Sequence, residues 1–77
     1  MTQPLTASQV KLLSLFKNAI EKERKAQESY KEILALCTDP SLRSIIESLI
    51  QEEKSHEETL LIKYGELRKA DAFKDEA

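Results

Sequence analysis

The stretch "TDPSL", Thr38–Leu42, decides the fold. Asp39 carries the short acceptor side chain that caps a helix N-terminus. Pro40 suits the first helical position, where its missing N–H costs nothing. A helix therefore starts here, and the stretch ends the helix before it. Upstream, apolar residues recur at intervals of three and four: Leu12, Leu13, Phe16, Ala19 and Ile20, then Ala26, Tyr30, Ile33, Leu34 and Cys37. That is a helical stripe. Thr6 with Gln9 three residues on makes a capping-box pattern at its start. Downstream the stripe is Leu42, Ile45, Ile46 and Leu49, then Leu60, Tyr64 and Leu67. The expected layout is one domain over residues 1–77, with helix one at about 7–37, a turn at 38–39 and helix two at about 40–68. Gly65 is where the second helix is expected to end or loosen. The tail "KADAFKDEA", residues 69–77, is expected to be frayed or a short helix.

So short a turn makes the helices antiparallel neighbours. Each of about 30 residues is roughly 45 Å long. Two such helices bury only part of each other's stripe, and a second copy of the hairpin is the simplest cover. The expected fold class is all-α: a two-helix hairpin that dimerises into a four-helix bundle, with higher oligomers built from dimers as an extension.

The composition agrees. The chain has 77 residues, of which 34% are charged, with one Gly and two Pro. Such a composition favours long helices, and a core this small often gains stability by association. The net charge of −2 offers no electrostatic reason to expect nucleic acid or a membrane surface as partner. One Cys excludes an internal disulfide and a paired CxxC metal knuckle. The first residues, "MTQPLTASQV", lack the basic start and apolar run of a signal peptide, and no apolar run approaches membrane length. A soluble, reducing, cytoplasmic location is the expectation.

Ionisable residues interrupt both stripes. At about 100° per residue, Glu23 falls at the centre of the apolar face of helix one, and Glu21, Glu28 and Glu32 fall opposite. In "QEEKSHEE", Gln51–Glu58, Glu53 lies at the centre of the stripe, His56 near it and Glu52 at its edge. Folding the hairpin about Thr38 places Glu23 and Glu53 at one level, roughly 22 Å from the turn, with His56 one turn beyond Glu53. Burying unpaired carboxylates costs several kcal/mol each, and metal coordination offsets it. One hairpin supplies too few ligands to enclose a metal pair. Two hairpins about a two-fold axis supply four Glu and two His, the donor set of di-iron and di-manganese carboxylate bundles. Four carboxylates and two divalent ions also balance in charge. Hard oxygen donors with one imidazole per metal suit iron, at two ions per dimer, or manganese better than structural zinc.

These residues resemble a known family. "EKERKAQESY" holds Glu23-x-x-Ala26-x-x-x-Tyr30, and "EEKSH" holds Glu53-x-x-His56. The pattern resembles the rubrerythrin-like branch of the ferritin superfamily, and more closely the encapsulated ferritins, short two-helix chains that build a di-iron ferroxidase centre between two subunits. The likeness runs from about Ile20 to Leu61 and includes the turn. It implies that Glu23, Glu53 and His56 bind iron, that Tyr30 sits beside the site, and that the activity is oxidation of Fe(II) by dioxygen or peroxide in iron handling or detoxification. There are departures. Lys22 and Lys25 stand where that family has acids of an outer metal-uptake site. The chain ends "FKDEA", without the Gly/Leu-type docking peptide of relatives that enter an encapsulin shell. The one Cys cannot supply the Cys-rich electron-transfer domain of rubrerythrins proper.

Competing readings come from other classes. A polar layer could fix register in a metal-free helical dimer, with Arg24 or Lys54 folded over the carboxylates. A di-iron protein of this kind could instead scavenge peroxide with electrons from a reductase. Tyr30 serves equally as a core aromatic or as a donor to a ligand carboxylate. Cys37 reads as a small buried hydrophobe, and Glu52, Glu57 and Glu58 as exposed acids that attract cations.

Overall fold

The computed structural model describes residues 4–69. Two helices, α1 (Ala7–Leu36) and α2 (Pro40–Leu67), pack against each other as an antiparallel hairpin. Their ends follow from local hydrogen bonding. The Thr6 hydroxyl accepts from the Gln9 amide at 3.1 Å, and the Thr6 amide donates to Gln9 Oε1 at 2.8 Å, so two amide groups at the helix start are satisfied reciprocally. Asp39 Oδ2 accepts from the Leu42 amide at 2.8 Å, with Pro40 entering the first turn. Cys37 caps α1 and Arg68 caps α2, so each helix stops one residue short of its expected end. Gly65 neither ends nor loosens α2: it sits inside the helix on open surface, where it costs only propensity. The expectation for the tail falls almost wholly outside the described residues.

The connection is also held from the side. Arg43, one turn into α2, donates from Nη1 to the carbonyls of Leu34 (2.9 Å) and Cys37 (3.0 Å). α1 has no basic residue in its own last turn. The arginine of the next helix therefore supplies the cation that the negative end of the α1 dipole favours.

The seam between the helices is narrow. Among the described residues only Ile20, Ile46 and Ile50 are buried hydrophobics. Leu15, Ile33, Leu42 and Ile45, all of helical phase, are 51, 43, 43 and 56% exposed. A wheel through each helix explains the split. With Glu23 and Glu53 set at zero, Ile20, Gln27, Ile46, Ile50 and Glu57 lie about 20–60° to one side, and Leu15, Ile33, Leu42, Ile45 and His56 about 20–80° to the other. In an antiparallel pair, rotation of the same sense on both helices faces the same side of the hairpin. The first flank forms the seam. The second flank is a single open apolar face that carries His56. Residues counted into the stripes at Ile33, Leu42 and Ile45 are thus not core of one hairpin, because one neighbouring helix covers only one flank. The shape agrees: a radius of gyration of 17.3 Å and extents of 58 × 17 × 16 Å describe a rod, where a compact chain of this length has about 11 Å.

Candidate metal centre

Glu23 projects from the middle of α1, and Glu53 and His56 from successive turns of α2. One donor atom from each lies within 4.8 Å of the other two. His56 Nδ1 is 3.6 Å from Glu23 Oε2 and 3.8 Å from Glu53 Oε2. These distances are too long for hydrogen bonds between them. The carboxylates are mostly covered, with side chains 23% (Glu23) and 19% (Glu53) exposed, whereas the imidazole is 59% exposed on the open face. Glu23 Oε2 is buried and has no hydrogen-bond partner.

A buried carboxylate oxygen without a donor is costly, and a second carboxylate beside it adds repulsion. Neighbouring cations do not relieve it. The guanidinium of Arg24 turns away from the group: Nε donates to Glu57 Oε2 at 2.7 Å and Nη1 to Glu21 Oε1 at 3.3 Å. Lys22, Lys25 and Lys54 are exposed. The donor set, two carboxylates and an imidazole converging with an oxygen left unpartnered, fits a divalent cation that prefers oxygen with some nitrogen. Glu23, Glu53 and His56 would hold such an ion with three donors and leave it room for further ligands.

Glu57 differs from its expected place. Its side chain is 18% exposed, because it sits four residues after Glu53 and so shares the phase of the seam. Both its oxygens are engaged: Oε2 accepts from Arg24, and Oε1 accepts from Gln27 Nε2 at 2.7 Å. The Arg24 bond first, and the Gln27 bond next, hold its carboxyl below the ordinary value, while the same bond raises Arg24. Gln27, only 7% exposed, also donates weakly to the Glu23 carbonyl at 3.4 Å. Neither Gln27 nor a seam role for Glu57 was expected from the sequence. The available signal was phase: each follows a central glutamate by four residues.

The other residues singled out in the sequence lie apart from the group. Glu52 and Glu58 are exposed. Tyr30 is half-buried two turns beyond Glu23, and the hydrogen bonds around the group do not involve it. Cys37 is a free thiol at the turn, half-covered rather than buried. Among the described residues no helix is long and apolar enough to cross a membrane.

A family model described as rubrerythrin matches residues 2–64. No curated protein and no solved structure matches the chain.

Proposed function

The chain belongs to the rubrerythrin family, and from that premise we propose that two copies pair through the open face of the hairpin, forming a ferritin-like four-helix bundle that binds iron in a shared layer and acts as a ferroxidase. The observation that carries this reading is the unpartnered, buried Glu23 Oε2 beside Glu53 and His56. A register-fixing polar layer built within one hairpin would satisfy it with a neighbour's N–H or ammonium group. Arg24 and the nearby lysines do not do so.

Each residue has a role in this reading. Glu23 and Glu53 supply the negative charge that selects divalent cations. His56 supplies one neutral imidazole nitrogen from the rim of the layer, where its exposure lets it turn toward a partner hairpin. Two copies together bring four carboxylates and two imidazoles, which match two divalent ions in charge. Ile20 and Ile50, each three residues before a central glutamate and both buried, keep the seam beside the carboxylates dry and so strengthen their attraction for a cation. Iron held there by Glu23, Glu53 and His56 would supply one-electron chemistry, the oxidation of Fe(II) to Fe(III) with dioxygen or peroxide as the electron acceptor.

The reading is tested by loading the protein with Fe(II) without oxygen, measuring bound metal, and then admitting dioxygen or peroxide while following ferric absorbance. The expected result is about one iron per chain, two per dimer, with oxidation faster than in buffer alone; the faster oxidant is the functional one. A folded protein that retains neither iron nor manganese overturns it.

A further inference from the structure

We propose that Glu57 is a positioning residue for this centre: clamped by Arg24 and Gln27, it holds the Glu23 turn of α1 against the Glu53–His56 turn of α2, so that the ligand group is assembled before metal arrives. The inference rests on the metal-centre reading above.

Three observations carry it. The first is connectivity. Glu57 follows His56 directly, and both its carboxylate oxygens are bound by α1, through Arg24 Nε and Gln27 Nε2, each at 2.7 Å. Gln27 in turn touches the Glu23 carbonyl. Apart from the Arg43 bonds at the turn, these are the side-chain hydrogen bonds that join α1 to α2 among the described residues. The polar ties between the helices therefore lie at two places, the turn and the candidate centre.

The second observation is need. The ligand group does not hold itself together. His56 Nδ1 stands 3.6 and 3.8 Å from the two carboxylates, Glu23 Oε2 has no partner, and the two carboxylates repel. Without a tie in the same layer, the helices relax at this point and the donors spread. The third is coverage. Gln27 is 7% exposed and the Glu57 side chain 18%. An amide buried to that degree needs its acceptor, so a slip of one helix along the other is opposed. An exposed ion pair would give no such constraint. Because its oxygens are engaged, Glu57 acts on the ligands through the backbone of its own turn and through Gln27.

The test is Co(II) titration, followed by the visible absorption bands that report coordination. It compares wild type with Glu57→Leu, Glu57→Gln and Arg24→Met, and reads helicity and melting temperature in chelator alongside. Glu57→Leu should weaken Co(II) binding by roughly 10–100-fold, the range for loss of an outer partner of a metal ligand, and alter the bands. Glu57→Gln should fall between it and wild type, since its amide oxygen still accepts from Gln27. If Glu57→Leu does not fold, Arg24→Met, altered at a half-exposed side chain, decides by the same criteria. Variants that melt lower yet bind Co(II) with wild-type affinity and spectrum would overturn the inference and leave the clamp purely structural. Wild-type protein that binds no Co(II) would overturn the metal-centre reading itself.

Discussion

Glu23, Glu53 and Glu57 meet at one stretch of the seam, and their surroundings assign them different work. Glu57 is satisfied by donors from α1. Glu23 keeps a buried oxygen free. His56 is mostly exposed and makes no hydrogen bond with either neighbouring carboxylate. His56→Ala should therefore leave helicity unchanged in chelator while lowering metal affinity by at least the 10–100-fold that loss of an outer partner costs. Glu52→Ala, at an exposed position, should change affinity by less than about twofold if its charge acts only through solvent. Isothermal titration with Co(II) or Fe(II) checks both, and a damaging Glu52→Ala beside a silent His56→Ala would mean that the ligands lie elsewhere. Glu57 also predicts a pH dependence. Its folded pKa is depressed below the ordinary 4.5. The contribution is fully present above that value, is lost as pH falls through the lower folded one, and is absent below both. Urea midpoints of wild type and Glu57→Gln in chelator should differ near neutral pH and draw together as the pH is lowered below 4.5.

Helix ends set the length and direction of each rod. Thr6, Gln9 and Asp39 satisfy the starts by short local bonds, so these ends need no tertiary help. The end of α1 is different: its carbonyls at Leu34 and Cys37 are capped by Arg43, which belongs to the other helix. That cap exists only when the chain turns back, so it couples helix termination to hairpin closure. Arg43→Met keeps most of the aliphatic stem and removes the charged donor. It should destabilise the hairpin by about 1.5–3 kcal/mol, the range for hydrogen bonds to charged groups. Thr6→Ala, which loses an exposed cap, should cost about 1 kcal/mol. Urea unfolding at fixed pH and protein concentration, in chelator, compares the two. Equal midpoints for Arg43→Met and wild type would show that water serves those carbonyls as well as the guanidinium does.

The rod as a unit exposes one apolar face with the imidazole in it, and in the proposed pair that face becomes core. Ile45, 56% exposed on this face, would be buried there. Ile45→Glu should leave a helical chain that sediments near the 8.8 kDa of one copy and holds little iron, because half a site offers three donors. Ile62→Glu provides the control: Ile62 is 64% exposed but lies on the side of α2 opposite the seam residues, and the change should leave the pair and its metal intact. Because metal would bind the pair far better than the single hairpin, free metal at a hundred times its dissociation constant should stabilise the pair by about 2.7 kcal/mol. Sedimentation of each protein with chelator and with metal measures these effects together. If Ile45→Glu pairs and binds iron like wild type, the second copy does not sit on this face.

The helices, their starts and the convergence of Glu23, Glu53 and His56 were legible in the sequence because each depends on local chemistry or phase. Capping needs residues three apart. A helical face needs only its repeat. Antiparallel geometry follows from a turn too short for anything else. What the repeat could not divide was the stripe itself, since a neighbouring helix covers one flank and leaves the other open. That division put Ile46 and Ile50 in the seam, left Ile33 and Ile45 outside it, and drew Glu57 inward. The Gln27–Glu57–Arg24 bonds were likewise invisible to spacing, because a side chain can choose its hydrogen-bond partner only after packing has brought the second helix within reach.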